Sequence, residues 1–315
     1  MMGVRFSLIS NMVDPAIIPS NSNLSLPKLI RLFLHTSLTV TAQSFTILAA
    51  MKQHIVENLP ILEFSTFPNN GTLHHAVFTR IGGISRPPFE SLNMSLSVPD
   101  DQNDVLANRA IGYGRYQRTN DTLVHAYLAH GADVARVSSA DYGKYIGPID
   151  GLITNEPGCG LTMNYADCAP IFLYDPTNNA IGLGHAGWQG AVKDLPGAMV
   201  RAMVRAFGSD PAELLAAVGP CIGSCCYEVD EPVISLVREQ FNEPETLLLA
   251  PPEDKVDNGR PYFNLPQANR RNLVEAGVQN VELSGFCTAC RTDLFFSHRA
   301  EGGKTGRFGT IFVLP

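Results

Sequence analysis

The sequence predicts an α+β domain: mixed, largely antiparallel sheets with helices packed on their flanks. Three observations carry this. The apolar runs "APIFLYD" (169–175) and "AIGLGH" (180–185) are separated by "DPTNN", whose Asp, Pro and Asn residues form turns, so the two runs read as neighbouring antiparallel strands. Other stretches repeat their apolar residues at helical spacing, as do Leu195, Met199, Met203 and Phe207. Strands and helices do not alternate strictly, as a doubly wound parallel sheet requires, and no strand leads into a glycine-rich phosphate loop.

In chain order, "HHAVFTR" (74–80) alternates like a strand and runs into "IGGISRPP", a glycine and proline turn cluster. Asp104 is placed to cap a helix over 105–116, although two glycines weaken that stretch. "GLTMN" (160–164) is a short apolar run, and the hairpin pair at 169–185 follows it. His185 then falls at a strand end, where the chain leaves the sheet. Asp194 can cap the helix at 195–207, with Pro196 tolerated in its first turn. A strand at "LLAAVG" (214–219), a helix near 231–241 and a helix at 264–277 come next. Asn264 would cap the last and Gly277 would end it. "TIFVLP" closes the chain as a strand.

With 315 residues, 45% hydrophobic and 17% charged, the chain is large enough to bury a full core. Its net charge of −7 and the lack of any basic run argue against nucleic acid or an anionic membrane as partners and favour small molecules. Nothing in the sequence fixes an oligomeric state. Seven cysteines, an odd number without the density of a small secreted disulfide scaffold, read as mostly reduced thiols in a cytoplasm. Residues 1–50 differ from the rest: they hold Arg5, Lys28 and Arg31 against Asp14 alone, leaving 20 basic and 29 acidic residues for 51–315. They read as a presequence, a disordered tail, or upstream sequence translated from too early a start, with Met51 the true one. No apolar run there reaches the roughly 18 residues a membrane-spanning helix needs. The folded domain is therefore expected to occupy 51–315.

The chemistry-bearing candidates stand beside small residues. His130 lies in "LAHGADV", Cys168 in "YADCAP" and His185 in "GLGHAGW". Glycine or alanine next to a metal ligand removes bulk and lets a substrate approach. Taken singly, each has an ordinary reading as a satisfied polar histidine or a small core cysteine. The run "IGLGHAGWQG" also holds the chain's only tryptophan, Trp188, which can wall a site from water or simply pack. Cys287 and Cys290 form a CxxC, which raises a second zinc or a redox role. Cys225 and Cys226 are the residues that would complete four ligands.

Taken together with their flanks, "GPIDGLITN", "GLTMNYADCAPIFLYD", "AIGLGHAGWQG", "AAVGPCIGSCCYEV" and "CTACRTDLFFSHRAEGGKTGR" resemble the laccase-domain family. Its members are described as multi-copper polyphenol oxidoreductases or as purine nucleoside phosphorylases. "FTRIGGIS" and "SLNMS" extend the resemblance to about residues 75–315. It implies that His130, Cys168 and His185 bind one zinc and form the catalytic centre. It further implies phosphorolysis of adenosine, inosine and methylthioadenosine to base and ribose 1-phosphate, with adenosine deamination beside it. Asn93, Arg80, Glu228, Arg299 and Arg307 are motif-located candidates for substrate contact, as is Arg109, and Asp167 could orient a ligand from behind. Two positions depart from the family pattern: Leu128 replaces a Gln two places before the first histidine, and Gln189 replaces the Arg of "GWRG".

Two other functions compete. A copper-dependent polyphenol oxidase of laccase type needs many histidines in HxH pairs, and this chain has eight histidines and no such pair. Copper could still occupy a His2Cys site in vitro. A non-enzymatic binder of nucleosides or peptide fragments would use the metal structurally, which normally takes four protein ligands rather than three.

Overall fold

The computed structural model describes residues 51–315 except 57 and 58, so the expectation for residues 1–50 lies outside the described residues. In chain order the strands are β1 (Lys52–Val56), β2 (Leu59–Glu63), β3 (His74–Phe78), β4 (Val124–Ala126), β5 (Val134–Arg136), β6 (Tyr145–Ile146), β7 (Gly151–Thr154) and β8 (Gly160–Thr162). They continue as β9 (Asn164–Tyr165), β10 (Ala169–Asp175), β11 (Ala180–Ala186), β12 (Leu215–Val218), β13 (Leu248–Leu249), β14 (Tyr262–Phe263), β15 (Asn280–Leu283) and β16 (Phe308–Val313). The α-helices are α1 (Gln102–Gly114), α2 (Trp188–Val192), α3 (Leu195–Phe207), α4 (Val233–Gln240) and α5 (Leu265–Glu275).

The strands form two large sheets and a small ribbon. One large sheet runs β1-β2-β3-β16-β8-β4-β6, with β9 also on β16; the other runs β15-β12-β10-β11-β7-β5; β13 and β14 pair alone. Most pairings are antiparallel, and β4–β6, β4–β8, β5–β7 and β12–β15 are parallel. The mixed, largely antiparallel α+β architecture is thus the observed one. Among the described residues no helix is long and apolar enough to cross a membrane.

Strand alternation explains the layering. On β10, Phe172 and Tyr174 point into a core shared with the first sheet, where Phe172 packs against Phe64 and Phe312 at ring distances of 5.2 and 5.1 Å. Ile171 and Leu173 point the other way, into the core that α3 and α5 cover. Both faces are therefore apolar, and every residue of β10 is buried. Helix α1 covers the outer face of the first sheet, with Tyr113 packed among Phe78, Ile311 and Val313. Helix α3 lies close on β11: a Cβ added to Gly184 would meet Met199 Sδ at 2.4 Å. Part of the glycine richness of "AIGLGH" is thus a packing requirement of that helix.

The helix ends follow capping chemistry, with one correction. Asp194 accepts from the Gly197 amide at 3.1 Å, and Asn264 accepts from Gln267. Helix α1 begins earlier than expected, and its cap is Asp101, which accepts from the Asn103 amide at 2.8 Å; Asp104 sits in the first turn, where the helix dipole favours a carboxylate.

A buried histidine gives the fold a pH dependence. His75 on β3 accepts a hydrogen bond from the Phe64 amide through Nε2 at 2.8 Å, among Phe64, Phe67 and Phe312. Burial pushes its pKa down to about 4. The unfolded value near 6.5 is higher, so His75 contributes full stability above about pH 6.5 and loses it as pH falls toward 4. Between pH 7 and 5 that loss is about 2 kcal/mol. Urea unfolding of wild type and His75→Gln at both pH values should show a loss smaller by about this amount in the variant. Equal losses would show that His75 does not carry the dependence.

Candidate metal centre

Register brings the site together. Strands β10 and β11 pair so that Pro170 faces His185 and Ala169 faces Ala186, which sets Cys168 beside Gly187 at the mouth of the hairpin. Space there is tight: a Cβ on Gly187 would sit 2.7 Å from Cys168 Sγ and 3.8 Å from His130 Cδ2. Only glycine lets α2 start this close to the thiol. His130 comes from the loop between β4 and β5, in the left-handed region at φ +56°. The ligand atoms of His130, Cys168 and His185 all lie within 4.8 Å of one another. His130 is exposed, Cys168 half-buried and His185 buried, so the cluster opens toward solvent on the His130 side.

Asp150 organises the two histidines. It directly precedes β7, whose Gly151 pairs with Gly184, and its carbonyl accepts from the His185 amide at 2.8 Å. Its carboxylate is fully buried: Oδ1 lies 3.1 Å from His185 Nδ1, while Oδ2 accepts from the amides of Ala129 at 3.1 Å and Gly131 at 2.6 Å, on either side of His130. Burial alone would raise the Asp150 pKa, but the hydrogen bonds from His185, Gly131 and Ala129 outweigh it and hold the carboxyl below its usual value. With Nδ1–H donated to Asp150, His185 presents Nε2 to the cluster. Metal-bound histidines characteristically keep such a carboxylate partner.

The cluster is electrostatically poised. Burial pushes the Cys168 thiol up, but the His185 charge and hydrogen bonds to both histidines overcome this and bring it down to about 6. Burial likewise disfavours charged His185, and the neighbouring Cys168 thiolate and Asp150 raise it to about 9. Each member of the pair thus favours the charged form of the other. Tyr165 packs its ring 5.4 Å from that of His185 and donates its hydroxyl to the Gly184 carbonyl at 2.9 Å, walling the inner side.

The other sequence candidates separate into two groups. Near Cys168, Asp167 accepts from Thr288 and Ser297 hydroxyls at 2.6 and 2.7 Å and from the Arg299 amide at 2.7 Å. It braces loops; the ligand-orienting part expected of it falls to Asp150. Arg299 donates to the Glu228 carbonyl at 2.8 Å and lies over the Tyr227 ring at 5.1 Å. The Glu228 carboxylate meets Asn258, Arg260 and Tyr262. Arg307 is half-buried, which lowers its pKa, and it feels the charges of Asp167 and Cys168. Tyr227, which the sequence did not single out, also feels the Cys168 charge.

Away from the cluster, Asn93 is corrected as a substrate contact. It is fully buried, its Nδ2 donates to Asp100 and the Ser95 carbonyl, and its Oδ1 accepts from the Ser95 and Arg307 amides. Arg80 pairs with Glu301 at 2.9 Å and stacks on Phe296 in a separate cleft of about 530 Å³ that none of the three clustered ligands lines. Buried Arg109 binds the Met94 carbonyl, Asn120 and Tyr145. Trp188 is partly buried and packs on the helix-covered core.

Two nitrogens and a sulfur, carboxylate-braced and open on one side, make a candidate metal-binding cluster. The family model described as multi-copper polyphenol oxidoreductase laccase matches residues 74–315, and the chain belongs to that family. Among its relatives are proteins named purine nucleoside phosphorylase YlmD. That of Bacillus subtilis is 35% identical, over 77% of this chain and 88% of its own length. That of Geobacillus stearothermophilus is 38% identical, over 73% and 85%. The crystal structure of the latter organism's YlmD superposes with a TM-score of 0.76 at 33% identity, covering 84% of this chain and 98% of that one. The hypothetical protein YfiH of Bacillus licheniformis gives 0.76 at 32% identity, covering 84% and 99%.

Proposed function

We propose that this chain is a cytoplasmic, zinc-dependent purine nucleoside phosphorylase acting on adenosine, inosine and methylthioadenosine, with adenosine deamination as a second activity. The observation that carries the reading is the convergence of His130, Cys168 and His185 within 4.8 Å, in a chain whose relatives bear that name. These residues fit a zinc ion: the donor set is right, and Asp150 holds His185 in the ligating tautomer. Bound there, zinc would supply a Lewis acid beside the purine.

The chain's own groups would do the rest. Phosphorolysis develops positive charge on the ribose and negative charge on the departing base, so donors placed around the base and a cation for phosphate are needed. Arg307 suits the anion: among the described residues its guanidinium is engaged through NH1, with the Thr305 and Gly306 carbonyls, and its other edge has no hydrogen-bond partner. Arg299, whose amide binds Asp167 beside Cys168, and its partner Glu228 are further candidates for substrate contact. Exposed His130 marks the entrance, and Tyr165 closes the inner wall against water.

Among the described residues, His130, Cys168 and His185 form the one group of three or more potential ligands that contains histidine. This supply suits one ion of this kind and not the several histidine-ligated coppers of a laccase. The test is metal analysis of protein purified without added metal, together with phosphate-dependent release of base and release of ammonia from adenosine. Zinc with base release supports the reading. Copper with phenol oxidation and no base release would overturn it in favour of an oxidase, and metal with neither activity would point to a binder.

A further inference from the structure

The fold brings together four cysteines that the candidate metal centre does not use. Cys225 and Cys226 lie in the turn after β12, closed by Gly223, whose carbonyl accepts from the amides of Cys226 and Tyr227 at 3.0 Å each. Cys287 and Cys290 lie in the loop after β15. The parallel pairing of β12 with β15 runs on into a bridge between Cys221 and Cys287, which delivers both loops to one place. All four sulfurs lie within 4.8 Å of one another, with Cys225 to Cys290 at 3.3 Å and Cys226 to Cys290 at 3.4 Å.

We propose that Cys225, Cys226, Cys287 and Cys290 bind one zinc ion as a closed structural site, separate from the His130, Cys168 and His185 cluster. A tetrahedral ZnS4 site with bonds of about 2.3 Å has sulfur–sulfur edges of about 3.8 Å, inside the range these four span. Two disulfides would sort the sulfurs into separate pairs, whereas Cys290 lies equally near Cys225 and Cys226; a single ion uses all four. The backbone already makes a contact typical of thiolate ligands: the Gly223 amide donates to Cys287 Sγ at 3.3 Å. Binding replaces up to four thiol protons by one divalent cation and leaves a local charge of about −2. Lys255 lies close enough to act on Cys226 and Cys290 and offset part of it.

The two centres also differ as structural and catalytic sites should. Here four protein ligands fill the tetrahedron; the other cluster has three and one open position. The clamp would brace that other centre. The Ile222 amide donates to the Asp167 carbonyl at 2.9 Å and Thr288 holds the Asp167 carboxylate, so both clamped loops hold the residue next to Cys168.

The experiment is zinc counting on the full chain, purified under reducing conditions without added metal. Wild type should hold about two zinc ions per chain, and Cys168→Ala and Cys290→Ser about one each. After exchange with cobalt, the intense thiolate-to-metal absorption of a tetrathiolate site should persist in Cys168→Ala and vanish in Cys290→Ser. This readout separates the inference from the nucleoside reading, because it survives loss of the catalytic cluster. Should Cys290→Ser not fold, thiol titration of wild type decides: these four thiols and Cys168 should be protected until a chelator is added, and the four should remain so in Cys168→Ala, with a fall in Tm on chelation. The inference is overturned by Cys168→Ala protein free of metal, by four freely reactive thiols in untreated wild type, by a disulfide between any two of these cysteines, or by iron in place of zinc.

Discussion

Cys168→Ala is expected to lose the zinc of the catalytic cluster and to bring base release and ammonia release to background. His130→Ala and His185→Ala should do the same, because a site left with two ligands no longer holds the ion. The double variants should be no worse than the singles, as for residues acting as one unit. Sulfur is the ligand least easily replaced by solvent, and Cys168 offers the one anionic donor of the three. His125→Ala is the internal control. His125 lies five residues before His130, yet it is buried, bonds the Asn120 carbonyl at 3.0 Å and stacks on Tyr145 at 4.8 Å. Its loss should cost stability, so the assay belongs well below the variant's Tm, where metal content and activity should be near wild type. Cys168→Ala protein with full zinc at this cluster and full phosphorolysis would remove the basis of the proposed function.

The three residues that cluster were legible in the sequence because each carries its own flank of small residues and the flanks make long, ordered motifs. The residue that orients them was not. Asp167 is adjacent to Cys168, and adjacency suggested a supporting part for it, but its φ of +87° turns it toward Thr288 and Ser297. Asp150 is 35 residues from His185 and meets it only through the β7–β11 register. The signal was present in "GPIDGLITN": an aspartate directly before a buried strand, beside a second strand ending in histidine. Reading it required knowing which strands pair.

The same limit applies to the fold. The hairpin of β10 and β11 is local, and its turn chemistry announces it. The first sheet is assembled around β16, which closes the chain and inserts between β3 and β8. No local pattern specifies that insertion. The four cysteines of the second cluster were visible as a CxxC and a CC pair, but the convergence of two loops 65 residues apart depends on the parallel pairing of β12 with β15. Asn93 failed as a substrate contact for a related reason: a polar residue in a turn-like motif looks the same in sequence whether its amide faces a ligand or its own loop.

Asp150→Asn is expected to weaken zinc binding about 10- to 100-fold, the usual consequence of losing a carboxylate behind a histidine ligand. The substitution preserves size and removes one acceptor. If the new amide keeps its oxygen toward the Ala129 and Gly131 amides, its NH2 faces His185 Nδ1 and donates to it. The His185 proton then moves to Nε2, the atom that should bind the metal. If the amide turns the other way, its NH2 points at two N–H donors that Oδ2 now satisfies at 3.1 and 2.6 Å, and the His130 loop loses its anchor. Either arrangement costs about 1 to 3 kcal/mol, in ligation or in an unsatisfied buried group. Activity measured against buffered free zinc should therefore show the half-saturating concentration raised by that factor, with most of the wild-type rate recovered at saturating zinc. His185→Ala should show no such recovery, which separates a positioning residue from a ligand. An unchanged zinc dependence in Asp150→Asn would mean that the hydrogen bond to His185 does not set its tautomer, and the anchoring of the His130 loop would then be the whole of its contribution.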